Sequence, residues 1–319
     1  MKGMVYFMGK INGTETRYSS PARSRGSRLW NKNKYALLFL APWLVGVLVL
    51  NLAPMIISLF LSFTNYDMFK VPDFIGLANY QQMFTNDPRF IKAVEVTFRY
   101  VGLGVPLELI ISLSFAMLLN KGIKGLSLYR AMYYIPSLLG GSVAISILWR
   151  QVFGSTGLIN QFLAPLGVEK ISWITSPKYA LYTLVILRVW QFGAPMIIFL
   201  AGLRQIPKEL YEAAHIDGAD SRQSFFHITL PQLSPIIFFN LIMQLVSAFQ
   251  AFTPAYVVGN GTGGAMDSIL FYTLYLYEKA FQHFQMGYAS AMAWLLLIMI
   301  GIVTGILFFI SRKRVYYIS

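Results

Sequence analysis

Six long apolar stretches separated by shorter polar segments dominate the chain. They are Tyr35–Phe63, Tyr100–Leu119, Leu126–Trp149, Tyr179–Leu203, Leu233–Val258 and Met286–Ile310. A helix needs roughly 20 predominantly apolar residues to cross about 30 Å of hydrocarbon, so the pattern predicts an all-α integral membrane protein with six transmembrane helices. At the helical rise the first stretch is about 44 Å long. It must therefore tilt or project, and Pro42 and Pro54 allow it to bend. In the third stretch the cluster of Pro136, Gly140 and Gly141 leaves two readings open, a bent span or a broken, re-entrant segment. The outer connectors, residues 64–99, 150–178 and 259–285, are too short for a separate domain of typical size.

Composition agrees with this picture. The 319 residues are 56% hydrophobic and 12% charged, against about 25% charged in soluble domains. A net charge of +13 would suit a nucleic-acid binder only if the cations were clustered on a wetted surface, and the apolar composition leaves little such surface. No nucleic-acid partner is expected. With no Cys, disulfide scaffolds, zinc–thiolate sites and Cys nucleophiles are excluded.

The cations instead report orientation, because Lys and Arg accumulate on the cytoplasmic side. With both termini inside, and with Arg130 at the start of the third stretch counted as inner and Arg99 and Arg188 counted to the spans, the inner segments hold seventeen Lys and Arg and the outer ones seven. Residues 1–34 are predicted to be an uncleaved, largely disordered basic tail, attracted to anionic lipid of the bilayer. Residues 35–319 then form the six-helix transmembrane domain.

One polar island differs from an ordinary connector. The inner loop at 204–235 reads RQIPKELYEAAHIDGADSRQSFFHITLPQLSP. Pro207 suits a helix start, Lys208–Ile216 is rich in helix formers, Asp217-Gly218 is a turn pair, and Asp220 or Ser221 can cap a second short helix. Glu212-Ala213-Ala214, Asp217-Gly218-Ala219, Phe225, Leu230-Pro231 and Pro235 resemble the EAA loop of binding-protein-dependent ABC importer permeases. Leu200–Pro207, Glu209-Leu210-Tyr211, Arg130, Pro136, Trp149, Gly157 and Asn160 resemble its carbohydrate branch. The resemblance implies a maltose-type (type I importer) permease subunit of a bacterial inner membrane. It implies as partners a second similar permease chain, two ATPase subunits, an extracytoplasmic solute-binding protein and a carbohydrate.

By the same resemblance the EAA loop couples to the ATPase. Glu212 pairs with a basic group, Ala213 and Ala214 permit close approach, and Gly218 supplies the bend; Asp217, Ala219, Phe225 and Pro231 complete the motif. An ordinary amphipathic interfacial hairpin is the plainer alternative. A P-loop needs Gly-x-x-x-x-Gly-Lys-Ser/Thr, and no Lys here precedes Ser or Thr. ATP and Mg are thus expected on the partner ATPases, with no cofactor in this chain and no catalytic residue. His215, His227 and His283 lack ligand spacing, so no metal is expected.

Polar residues inside spans are candidates for the solute path. Asn240, Gln244 and Ser247 share a helical face with Gln250 beside it; Arg188 and Gln191 are one turn apart; Trp294, with Trp149 and Tyr288, lies toward an outer end. Each has an ordinary alternative: helix-to-helix hydrogen bonds for the amides, an ion pair with Glu108 for Arg188, and an interfacial belt or core packing for the aromatics. If Arg188 and Arg99 face the path, an acidic sugar of the alginate-oligosaccharide type is favoured; a neutral sugar or glycerol phosphate is the alternative. A secondary carrier would show repeats and ion-coupling carboxylates at the midplane, of which only Glu108 is a candidate.

Overall fold

A computed structural model describes residues 38–122 and 125–312. The basic tail, the first residues of the first predicted span and the extreme C-terminus lie outside the described residues. The chain divides into two compact units, residues 1–56 and 57–319. Helix α1, Leu38–Leu61, contains a π-helical turn at Val47–Leu52 and exposes nearly all its apolar side chains.

The second unit is built around α3, Pro88–Asn120, which follows the short α2, Ala78–Thr85. Helix α3 begins three turns before the predicted second span, Tyr100–Leu119, and those turns carry Arg89, Lys92, Glu95 and Arg99. Asp87 caps α3 by accepting the Phe90 N–H, and Pro88 sits in the first turn where its missing N–H costs nothing.

Three of the predicted spans are interrupted. The third is two helices, α4 (Leu126–Leu139) and α5 (Val143–Val152), bent by 97° at the Gly140-Gly141 break. Ser142 restarts the chain by capping Ile145 N–H. The connector that follows carries α6, Leu158–Leu163. The fourth span is α7 (Ala180–Trp190) followed by α8 (Gly193–Leu203), at a 42° bend. The loop segment holds α9 (Lys208–Ile216) and α10 (Ser221–Ser224). The fifth span is α11 (Ser234–Phe249), a break at 250–252, and α12 (Thr253–Val258). Then come α13 (Tyr272–Tyr277) and the uninterrupted α14 (Met286–Ser311). Among the described residues four helical runs are individually long and apolar enough to cross a membrane, and up to six spans result if each bent pair counts as one.

In hydrocarbon a broken helix leaves carbonyls and amides that water cannot satisfy. At the α7–α8 break other helices supply the partners. Ser137 Oγ of α4 donates to Gln191 O at 2.7 Å and accepts from Ala194 N–H at 2.8 Å. Ser112 Oγ of α3 lies 3.0 Å from Phe192 O and 2.6 Å from Glu108 O, so its single proton is shared.

Two apolar clusters fill the unit. One joins the first half of α3 to α7, α11, α12, α13 and the start of α14; the other joins the end of α3 to α8, Ile206 and Leu233 beside the loop. Gly193 permits the tightest crossing, since a Cβ there would fall 2.0 Å from Tyr133 O. Gly301-x-x-x-Gly305, which has the spacing of a helix-contact motif, meets nothing within 4 Å at either position.

Replacing Gly193 by Ala therefore forces α4 and α8 apart, and backbone cannot yield as a flexible side chain would. Thermal unfolding in detergent should show a loss of at least several degrees for Gly193→Ala, while Gly305→Ala stays near wild type.

Candidate functional site

The loop between α8 and α11 is a preformed helix–turn–helix. Pro207 precedes α9 with ψ 134°, placing it just outside the helix. At the other end Asp217 N–H bonds Ala213 O, Gly218 N–H bonds His215 O and Ala219 N–H bonds Ala214 O. Gly218 turns the chain at φ +81°, a conformation that costs a residue with a Cβ roughly 1 kcal/mol or more. Asp220, of the two residues able to cap, starts α10 with a full capping box: its carboxylate accepts Gln223 N–H, and the Gln223 side chain accepts Asp220 N–H.

Glu212, Ala213, Asp217 and Gly218 are exposed, whereas Ala214, Ala219, Phe225 and Pro231 are half-buried. Tyr211 Oη and Thr229 Oγ1, 2.9 Å apart, tie α9 to the π-helical turn Phe225–Thr229. Two open cavities flank the turn. One, about 370 Å³, is lined by Ala214, Gly218, Ala219, Gln223 and His227. The other, about 320 Å³, lies between Met117 of α3 and Tyr211, His215 and Phe225.

The candidate path residues divide among different environments. Arg188 is buried and forms an ion pair, Nε to Glu108 Oε2 at 2.9 Å; its Nη2 donates to both Gln244 O and Gln244 Oε1 at 2.9 Å. The guanidinium also lies 5.9 Å from the Tyr100 ring centre. Gly104 makes room for it, since a Cβ there would fall 2.9 Å from Arg188 Cδ. The two groups are of opposite formal charge and meet side by side.

One turn along α11, Asn240 is fully buried with neither amide atom hydrogen-bonded among the described residues. Ser247 and Gln250 at the far end of the same helix are exposed, so the stripe runs from a sealed interior to an open surface. Gln191 donates to Leu187 O and packs where a Gly140 Cβ would sit. Trp294 is half-buried in α14. Tyr288 is no interfacial ring: it is buried and donates to Asp87 Oδ2 at 2.6 Å. Trp149 is anchored by its indole N–H to Thr183 O.

Sequence reading missed a clamp at the end of α3 opposite the loop. Asp87 accepts from Tyr275 and Tyr288, each at 2.6 Å, with Lys279 Nζ at 3.5 Å. Arg89 forks onto Asp267 through Nε and Nη2 and reaches Glu278 through Nη1. Burial pushes the Asp87 carboxyl up, but the two tyrosine hydroxyls, the Phe90 N–H and the Lys279 ammonium outweigh it and hold its pKa below the ordinary value. Nearly two hundred residues separate Asp87 from its partners, and no local pattern marks it. Asn160 is a second hub: its side chain holds Gly154 O, Ser155 O, Ile171 N–H and O, and the Trp173 indole. Among the described residues no cluster of His, Asp or Glu has the makings of a metal site.

The fold, with its long central helix, paired broken spans and projecting helix–turn–helix, is that of a type I ABC importer permease. The chain belongs to the family of binding-protein-dependent transport system inner membrane components, whose model matches residues 85–316. It is 51% identical over 298 residues to the probable ABC transporter permease protein YesP of Bacillus subtilis (strain 168), covering 93% of this chain and 96% of that one. It is 32% identical over 302 residues to the lactose transport system permease protein LacF of Rhizobium radiobacter, covering 93% and 99%. With the arabinooligosaccharides transport system permease protein AraP of Bacillus subtilis (strain 168) it shares 34% identity over 299 residues, covering 92% and 94%. A crystal structure of a bacterial ABC transporter involved in import of the acidic polysaccharide alginate contains a chain of the same fold. The TM-score is 0.73 at 22% identity, covering 90% of this chain and 99% of that one.

Removing one member of a buried ion pair strands the other, at a cost of about 3–5 kcal/mol. Arg188→Met should therefore lower the unfolding temperature sharply. Adding Glu108→Leu should recover most of the loss, giving a large coupling in a double-mutant cycle.

The Asp87 clamp predicts a pH window. Because the folded carboxyl is the stronger acid, its contribution is complete above about pH 4, the ordinary carboxylate value. It is lost as pH falls further, through the folded value. Asp87→Asn should be less stable than wild type by roughly 2 kcal/mol at neutral pH, and the gap measured by denaturation should shrink on acidification below pH 4.

Proposed function

We propose that this chain is the non-catalytic, membrane-spanning subunit of an ATP-driven carbohydrate importer that works by alternating access. The observation that carries the reading is the ordered helix–turn–helix at 208–232, with Glu212 exposed and no ion pair recorded for it among the described residues. An element with its own turn chemistry, flanked by two open cavities, suits insertion into a partner. In this role α9 docks in a cleft of an ATPase subunit. Glu212 meets a basic group there, and Ala213, Asp217, Gly218 and Ala219 form the contact.

ATP and Mg reside in two such ATPase subunits. A second similar permease chain completes the pathway, and a solute-binding protein delivers substrate from outside. The inner-membrane family and the seventeen-to-seven split of Lys and Arg support an orientation with both termini and the loop in the cytoplasm.

For the substrate, the permeases named for lactose and arabinooligosaccharides support a sugar, and an oligosaccharide is our reading. Arg188 is paired with Glu108 at 2.9 Å, which removes the one free cation at depth that favoured an acidic sugar; Arg99 shares Glu95 with Lys92 toward the clamp end of α3. The amides of Gln191, Asn240, Gln244 and Gln250, with Ser247 and Trp294, supply donors, acceptors and one stacking face suited to hydroxyls without a carboxylate.

Reconstituted with its partners, Glu212→Lys or Gly218→Asp should lower sugar uptake at least tenfold while the membrane subunits still assemble. ATP hydrolysis should no longer respond to loaded binding protein. Fully coupled hydrolysis in both variants would refute the docking role.

A further inference from the structure

At the clamp end of α3 a cavity of about 370 Å³ opens between α3, the start of α7 and the 266–268 turn. Lys92, Arg99 and Lys178 line it, and so does Ser268. Glu95 bridges two of these cations, to Lys92 Nζ at 3.1 Å and to Arg99 Nη2 at 2.5 Å. It holds both heads on one face of α3 while offsetting only one charge of three. Lys178 stands over the Tyr179 ring at 5.3 Å. Ser268 is 9% exposed, and its hydroxyl has no partner among the described residues. A buried hydroxyl without a partner costs free energy, and here it sits on the wall of a cationic cavity where an acceptor would satisfy it.

What continues from the cavity narrows the ligand. On α3, Leu103, Leu107 and Ile110 follow Arg99 at helical spacing and are exposed; on α7, Tyr182 and Ile186 follow Lys178 in the same way. Two apolar rails thus lead away from one cationic head site. Position agrees: α3 is about 50 Å long against about 30 Å of hydrocarbon. Its first turns therefore stand among headgroups, and Arg99 is drawn toward that level by Glu95. We propose that this cavity binds the phosphate of an anionic phospholipid, with Lys92, Arg99 and Lys178 as counter-ions, Ser268 as hydrogen-bond donor, and the acyl chains along the two rails. A site at this level forms on either orientation of the chain in the bilayer, so it stands apart from the function proposed above.

Native mass spectrometry of the assembled complex tests it, using mixed phosphatidylglycerol and phosphatidylcholine of equal chain length. Phosphatidylglycerol should be retained at least fivefold over phosphatidylcholine. Each of Arg99→Gln and Lys178→Gln should cut that retention on the order of fivefold, the expected effect of one cation near an anionic surface. Ser268→Ala should cut it a few-fold, and Lys170→Gln, outside the cavity, should not. If an Arg99 variant fails to assemble, Lys178→Gln and Ser268→Ala carry the test.

Equal retention of the two lipids would overturn the proposal, as would variants that behave like Lys170→Gln. Displacement of phosphatidylglycerol by millimolar inorganic phosphate would reassign the cavity to a free anion. Displacement by a uronate oligosaccharide would reassign it to substrate. Either result defeats the lipid site.

Discussion

A polypeptide that crosses hydrocarbon has to close every backbone and side-chain polar group on itself, and this chain meets that constraint where it is hardest. The α7–α8 span breaks at Gln191-Phe192, and the freed groups are taken up by Ser137 of α4 and Ser112 of α3. A turn away, the guanidinium of Arg188 is held by Glu108 of α3 and Gln244 of α11. Of the helices carrying these residues, α3, α7, α8 and α11 also contribute buried side chains to the two cores. The broken helix is thus the junction of the bundle, and the serines and the ion pair make the break tolerable.

The two ends of the bundle are finished by different chemistry. At the clamp end, Asp87 and Arg89 draw the 265–288 segment onto α3 through tyrosine hydroxyls and carboxylates. Charge-assisted bonds of this kind are stronger than neutral ones, and they fix the connector that carries α13. At the other end the loop is held mostly by its own turn and cap, with Tyr211 and Thr229 its side-chain tie. One end is cross-linked to the bundle; the other projects from it with a defined shape.

Much of this was legible in the sequence, because a transmembrane pattern is set by a strong single-body term, the cost of burying polar groups in lipid. The six apolar stretches, the interruption at Gly140-Gly141, the turn at Gly218 and the cap at Asp220 each follow from residues a few positions apart. The Glu108–Arg188 pair was foreseeable as an alternative because both residues are ionisable at depth. The Asp87 clamp was not, since no local pattern links Asp87 to Tyr275 and Tyr288 until the fold unites them. The first three turns of α3 are too polar to register as apolar span, and their helical form was not foreseen. For Tyr288 the sequence left belt and core both open, and tertiary contacts decide for core.

The opposite formal charges of Glu108 and Arg188 have an electrical consequence. A lone charge moved across a membrane does work against the transmembrane voltage, about 2.3 kcal/mol per 100 mV. A guanidinium held 2.9 Å from an ionised carboxylate behaves as a short dipole, so the pair adds almost no gating charge to any movement of α3 against α7.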